Sequence, residues 1–255
     1  MIVLPHSAVI VSEEFLLDRI AKTVHFNGAS DDLIDWTIFS SRPLPAPSAE
    51  RAFGERMATV VPVQLESRSA RATCWIESLE DGWLFLLPDD MPAGWLVSVG
   101  GSLETQLAHS EVVAAQVAHL SASPLEFPAY PRVAWPLAGK DWIACGTAAM
   151  AFDPLCGDGT GHAIREAILA AAVVRAAAAG GDIAELVKHF QMRLVAGFKR
   201  HLSVCAEFYE SGGFGPWWKA ELQSVREGLA WCDRQLTNAG DFHYRLRGFE
   251  LERVR

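Results

Sequence analysis

The residues best suited to chemistry in this sequence are glycines. Residues 142–167 run Trp-Ile-Ala-Cys-Gly-Thr-Ala-Ala-Met-Ala-Phe-Asp-Pro-Leu-Cys-Gly-Asp-Gly-Thr-Gly-His-Ala-Ile-Arg-Glu-Ala. This order predicts an apolar strand, a tight turn at Gly146, a bend at Asp153-Pro154, then glycines leading into an alanine-rich helix. Glycine lets backbone N–H groups approach a ligand closely. The start of a helix adds unsatisfied donors and the positive end of the helix dipole. Together they suit a phosphate or a partly anionic ring. A glycine turn that serves packing alone has the same composition, so the residues around it must decide.

Other candidates have plainer readings. His162 falls in the first turn of the helix, where it either faces the same ligand or sits in solvent as a capping residue. His109 and His119 fall on one predicted helix at a spacing that cannot chelate. Cys145 and Cys156 flank the glycine segment and read as small buried fillers. Glu77, Glu80 and Asp81 read as a solvated strand end. The five cysteines, at 74, 145, 156, 205 and 232, form no Cys-x-x-Cys pair. Neither a zinc site nor a disulfide framework is expected, and a reducing cytoplasm is the compartment implied.

The surrounding elements follow from composition and period. The chain has 255 residues, of which 50% are hydrophobic and 21% charged, enough to bury a sizeable core. Its formal charge of -9 disfavours a nucleic-acid partner. The apolar run at 167–180 is too short to span a bilayer and contains Arg175. A helix capped by Ser12 carries Phe15, Leu16, Ile20 and Val24 near one face. Residues 27–31 read as a turn, and 42–50 as an extended proline-rich connector. Strands are predicted at 59–65, 70–79, 83–87 and 95–99, joined by short links as an antiparallel meander. A helix is predicted over 102–120, then a proline-marked loop, a short strand at 141–146, and helices at 160–179, 182–209 and 217–238. The fold class is therefore α+β: an antiparallel sheet plus long C-terminal helices.

The glycine segment also carries a specific resemblance. Gly146-Thr147-Ala148-Ala149, followed by Phe152-Asp153-Pro154-Leu155-Cys156-Gly157-Asp158-Gly159, resembles the second FAD-binding motif of flavoprotein monooxygenases of the p-hydroxybenzoate-hydroxylase type and of flavin-dependent halogenases. That pattern is Gly-Asp-Ala-Ala, then Asp-Pro, two residues and Gly-x-Gly before an alanine-rich helix. The resemblance implies FAD as cofactor. Gly146 and Thr147 would lie by its ribityl and diphosphate part. Asp153, Pro154, Gly157, Gly159, Thr160 and Gly161 would line the flavin ring. Trp83-Leu84-Phe85-Leu86-Leu87-Pro88 resembles the Trp-x-Trp-x-Ile-Pro strand of the halogenases, which makes Trp83 and Phe85 substrate-facing. Gly215-Pro216-Trp217-Trp218-Lys219 resembles a Pro-Phe-Trp element of related flavoproteins. These matches span about 58–219.

The resemblance implies an incomplete α/β FAD-binding architecture in three parts. Residues 1–57 form an N-terminal helix and connector, 58–136 an antiparallel-sheet substrate domain, and 137–255 the second FAD motif with the helical C-terminal part. The implied activity is FAD-dependent oxidation of a small organic molecule, monooxygenase-like or halogenase-like. Two departures bear on it. Thr147 stands where the motif has an Asp, losing a charge-assisted hydrogen bond. No Gly-x-Gly-x-x-Gly, which holds the ADP half of FAD in the family, occurs in the sequence. Three alternatives follow: a non-catalytic binding protein, a half-enzyme completed by a partner chain or homodimer, and an S-adenosylmethionine-dependent methyltransferase. The last rests on Asp153-Pro-Leu-Cys-Gly-Asp-Gly-Thr160, which resembles the Asp-Pro-x-Cys-Gly-x-Gly-Thr loop of such enzymes. Only helical sequence follows it, with no Pro-Pro element.

Overall fold

The computed structural model describes residues 13–22, 36–66, 73–89, 92–157, 159–239 and 242–254. The Ser12 cap, Val24, the turn at 27–31 and the first residues of the strand expected at 70–79 lie outside them. The chain divides into two units, Met1–Ile34 and Asp35–Arg255. The first contains helix α1 (Glu13–Ala21). Everything below concerns the second.

Its largest sheet has six strands. β3 (Met57–Leu65), β4 (Trp75–Leu79), β5 (Gly82–Pro88), β6 (Ala93–Gly100) and β7 (Val117–Leu120) run in the order β4-β5-β6-β3-β7, and β8 (Leu125–Pro128) also pairs with β3. All neighbours are antiparallel. The expected meander is corrected in one respect: β3 lies beside β6, not beside β4. β3 is long enough to pair along one side with β6 and to divide its other side between β8 and β7. Pro62 stands at that division. Its carbonyl accepts from Ser121 N at 2.8 Å, so its missing N–H falls where the neighbour changes and no ladder bond is lost.

Alternation along the strands separates two cores. Trp83, Val99 and Ala58 face a core shared with the long helices. Leu84, Leu86, Leu96, Val61 and Val63 face a smaller core closed by Leu103 and Val113. That smaller core lies under the segment expected as one helix over 102–120, and the expectation is corrected. Helix α2 covers only Leu103–His109, a single 3-10 turn covers Ala114–Gln116, and the chain then becomes strand β7. Glu77 is the physical cause. Its carboxylate accepts from the backbone N–H of Glu111, Val112 and Val113 and from the Ser110 hydroxyl, so donors that would extend the helix are already taken. Burial opposes its ionisation, yet the Ser110 and backbone bonds hold the carboxyl below the usual range. Glu77 is a structural anchor, not a solvated strand end. His109 ends α2 and His119 lies on β7, so they do not share a helix.

The proline-marked stretch contains strands too. β9 (Arg132–Trp135) joins β2 (Ala49–Ala52) and β11 (Met150–Ala151) in a three-stranded antiparallel sheet. β1 (Thr37–Phe39) pairs in parallel with β10 (Trp142–Ala144). The helices are α3 (Gly159–Ala178), α4 (Ile183–Gly212) and α5 (Pro216–Ala239), each within a few residues of expectation. The buried stripe of α4, Leu186, Phe190, Leu194, Phe198, Leu202, Cys205 and Tyr209, repeats at helical spacing and carries the main core. A C-terminal hairpin, β12 (Tyr244–Arg247) and β13 (Glu250–Arg253), has no counterpart in the expectations. The α+β class stands.

Candidate functional site

The glycine loop is held from below by a buried ionic network. Asp153 follows β11 and caps the 3-10 turn Pro154–Cys156, accepting from Leu155 N at 2.9 Å. Its Oδ2 accepts from Arg56 Nη2 at 2.7 Å, Arg56 Nε at 3.1 Å and the Tyr209 hydroxyl at 2.7 Å. Arg56 also donates through Nη1 to Glu221 of α5. The Asp153 N–H donates to His201 Nε2 at 2.9 Å, which leaves the ring proton on Nδ1. Trp83 Nε1 lies 3.4 Å from the Tyr209 hydroxyl, extending the network to β5. All these side chains are buried. Burial opposes the charge on Arg56, but the Asp153 and Glu221 carboxylates beside it outweigh it and keep the guanidinium ionised. Burial and Asp153 push the Tyr209 phenol well up, so it stays protonated as a donor.

Above this support is a cavity of about 280 Å³. Gly146, Thr147, Asp153, Pro154, Gly157 and Gly159, all singled out from sequence, border it together. Thr160 and Gly161 lie on the first turn of α3 and do not border it. Gly146 and Gly157 adopt left-handed φ values of 60° and 58°, which favour glycine. A Cβ on Gly157 or Gly159 would meet nothing within 4 Å, so these residues are not glycine because of crowding by the protein itself. The Thr147 hydroxyl donates to the Ser40 carbonyl at 3.4 Å. Phe127, Met150 and Phe152 give the cavity apolar walls.

Glu166 is the site residue that the sequence reading passed over. It is 5% exposed, one of few buried carboxylates, and its Oε2 accepts from Gly146 N at 2.7 Å. Burial pushes its carboxyl up to about 7, against the Gly146 bond and the Arg165 charge. Its position in the second turn of the helix after a glycine loop was the available signal. Arg56, Tyr209, His201 and Glu221 lie in no motif, and nothing in the sequence marks them. His162 stacks on Phe152 with ring centroids 4.2 Å apart. Cys145 is buried, and burial with the Glu166 charge pushes its thiol up. Trp83 is wholly buried against Phe208 and Tyr209, and Phe85 is half-buried on the same face. Neither borders the cavity. Among the described residues, no cluster of His, Cys, Asp and Glu could hold a metal ion. No described helix is long and apolar enough to cross a membrane.

Solved structures similar to this chain include flavin-dependent halogenases. CmlS, a flavin-dependent halogenase, aligns at a TM-score of 0.56 and 16% identity, over 74% of this chain and 40% of its own. The myxobacterial chondrochloren halogenase CndH, a variant of FAD-dependent halogenases, aligns at 0.58 and 14%, over 80% and 55%. QhpG, a peptidyl tryptophan dihydroxylase, aligns at 0.52 and 20%, over 72% and 47%. Over the aligned part, the chain shares the fold of these proteins. It spans about half the length of the structures it matches. No protein-family model and no curated protein matches the sequence.

Proposed function

We propose that this halogenase-like fold forms the flavin-ring and ribityl half of an FAD site in an oxidoreductase acting on a small organic molecule. One observation carries the reading. Residues from either side of β11, chosen for their likeness to an FAD motif, converge on one cavity with open space above Gly157 and Gly159. Those residues fit a flat ring. Gly146 and Thr147 would hold the ribityl chain. Pro154, Gly157 and Gly159 would lie under the ring, with Thr160 and Gly161 turning α3 so that its N-terminus faces it. Asp153 would position the loop through Arg56 and Tyr209, its carboxylate turned away from the ligand. FAD supplies two-electron redox chemistry when bound. A helix N-terminus favours the anionic form that a reduced ring adopts. Glu166, with its carboxyl near neutrality, can hold or release a proton at its free oxygen, Oε1.

In this reading, residues 137–255 serve the cofactor and the sheet of 58–136 serves the substrate. The half-buried Phe85 lies on the sheet face turned to the helices, and Trp83 acts through Tyr209. The reaction proposed is monooxygenase-like or halogenase-like, and the compartment a reducing cytoplasm. A second reading, a binding half completed by another strand-bearing segment, is favoured by β1. It pairs with β10 on one side only among the described residues, and parallel sheets are usually larger and covered.

The test is titration of the protein with FAD, FMN and riboflavin, followed by flavin fluorescence. A site for the ring half binds all three within about tenfold of one another. Gly159→Leu, which fills the cavity from a helical position, should abolish binding while circular dichroism is unchanged. Absence of saturable flavin binding by a folded, monodisperse sample rejects the reading for this chain alone.

A further inference from the structure

A second cavity, of about 280 Å³, lies between α3, α4 and the C-terminal hairpin. Met150 and Glu166 border both cavities, so they form the wall between them. The second one is built differently. Arg165 of α3 and Arg193 and Arg200 of α4 line it, the last two about two turns apart on one helix face. Between them is Gly197. A glycine inside a helix is unfavourable, and a Cβ here would meet nothing within 4 Å. No neighbour requires the glycine; the missing side chain leaves space in the cavity. Ile168, Leu194 and Leu246 supply apolar walls.

The charges are unusual for this molecule. Acidic residues outnumber basic ones by 31 to 22, and nearby arginines are paired: Arg175 with Glu250, Arg247 with Glu252, Arg253 with Glu185. Arg193 and Arg200 have no carboxylate within ion-pair distance among the described residues. Arg193 is steadied by the Phe242 ring, 5.5 Å from its guanidinium carbon. Glu166, the carboxylate on the wall, is bonded to Gly146 on the other side.

We propose that this cavity binds a small carboxylic acid with a single-ring apolar body, its carboxylate held by Arg193 and Arg200 and its ring lying over Gly197 against Leu194 and Leu246. A guanidinium meets a carboxylate edge-on through paired N–H donors, and the apolar walls match a ring in size. The site is independent of the flavin reading, because the arginines and Gly197 do not border the glycine-loop cavity.

Isothermal titration with benzoate, without flavin, tests it. Benzamide is the uncharged isostere and inorganic phosphate the anion without a ring. Benzoate should bind saturably at one site, and benzamide and phosphate should each bind at least about tenfold more weakly. Arg193→Gln and Arg200→Gln should each weaken benzoate about tenfold. Gly197→Leu, which improves the helix while filling the cavity, should abolish binding with the thermal midpoint retained. Equal binding of benzamide or phosphate, unchanged binding in Gly197→Leu or in Arg200→Gln, or no saturable benzoate binding overturns the proposal.

Discussion

Glu166 and His189 show how two buried groups on neighbouring helices tie stability to pH in opposite directions. Glu166 has its carboxyl pushed up to about 7, by burial first. Its unfolded value is near 4.5, so the folded state binds the extra proton between these limits. Its contribution is complete below pH 4.5 and is lost as pH rises through about 7. His189 runs the other way. It is 5% exposed, and neither ring nitrogen has a hydrogen-bond partner. Burial, with help from the Arg193 charge, lowers it from 6.5 to about 4. Its contribution is complete above pH 6.5 and is lost as pH falls toward 4, because only the unfolded chain then takes the proton. Glu166→Gln keeps an acceptor for the Gly146 N–H and removes the titration. Urea unfolding of this variant should show a stability gain at pH 8 of about 2–3 kcal/mol over the parent. The gain should vanish at pH 4, leaving a curve that rises with pH through the His189 range. A parallel displacement of the two curves at all pH values would reject the assignment.

Among the elements, the loop between α2 and β7 depends most on one side chain. Glu77 occupies the N–H groups of 111–113 at distances of 2.8–3.2 Å, besides the Ser110 hydroxyl. Glu77→Ala should cost about 2–3 kcal/mol in urea unfolding, since several half-buried donors lose a charged acceptor together. Glu77→Gln should recover roughly half of that, and hydrogen exchange at Val112 and Val113 should quicken in both. The same segment shows where sequence reading stops. Leu103, Leu107, Val113 and Val117 have helical spacing, but a carboxylate from β4 takes the donors, and spacing carries no information about β4. The pairing of β3 with β6 across 93–100, and the short strands β1, β2, β12 and β13, escape for a related reason. β1 and β2 are too short to show a period and pair with β10 and β9 far along the chain, β12 and β13 are too short to show one even as neighbours, and β6 reaches β3 across the intervening hairpin. Long elements with their own apolar stripe, β3, β5, β6 and α3 to α5, were legible. So was the glycine loop, because its turns need particular residue types. Its support was not: Arg56 meets Asp153 and Glu221 across sequence separations of 97 and 165.

That support joins the elements of the second unit, Asp35–Arg255. Arg56 lies just before β3, Asp153 at the glycine loop, Tyr209 near the end of α4, and Glu221 on α5. The sheet, the glycine loop and the helix pair therefore meet at one guanidinium, with its carbon 4.8 Å from the centre of the Tyr209 ring. Three different acceptors or faces use different edges of Arg56, a geometry that an ammonium cannot copy. Removing it leaves Asp153 and Glu221 buried without a counter-charge, and that desolvation is not recovered elsewhere. Arg56→Met should cost about 3–5 kcal/mol. Arg56→Lys, which keeps the charge but not the fork, should lose roughly half as much. The distinguishing readout is cooperativity. If the network only stabilises locally, both variants keep a single urea transition with an unchanged slope. If it couples the sheet to the helices, as the geometry implies, Arg56→Met separates tryptophan fluorescence from helical ellipticity. Trp83 and Trp218, on β5 and α5, then report the loss of the sheet–helix contact before α4 and α5 unfold. Coincident transitions in Arg56→Met would show that the shared hydrophobic core, not the ionic network, makes the fold a single unit.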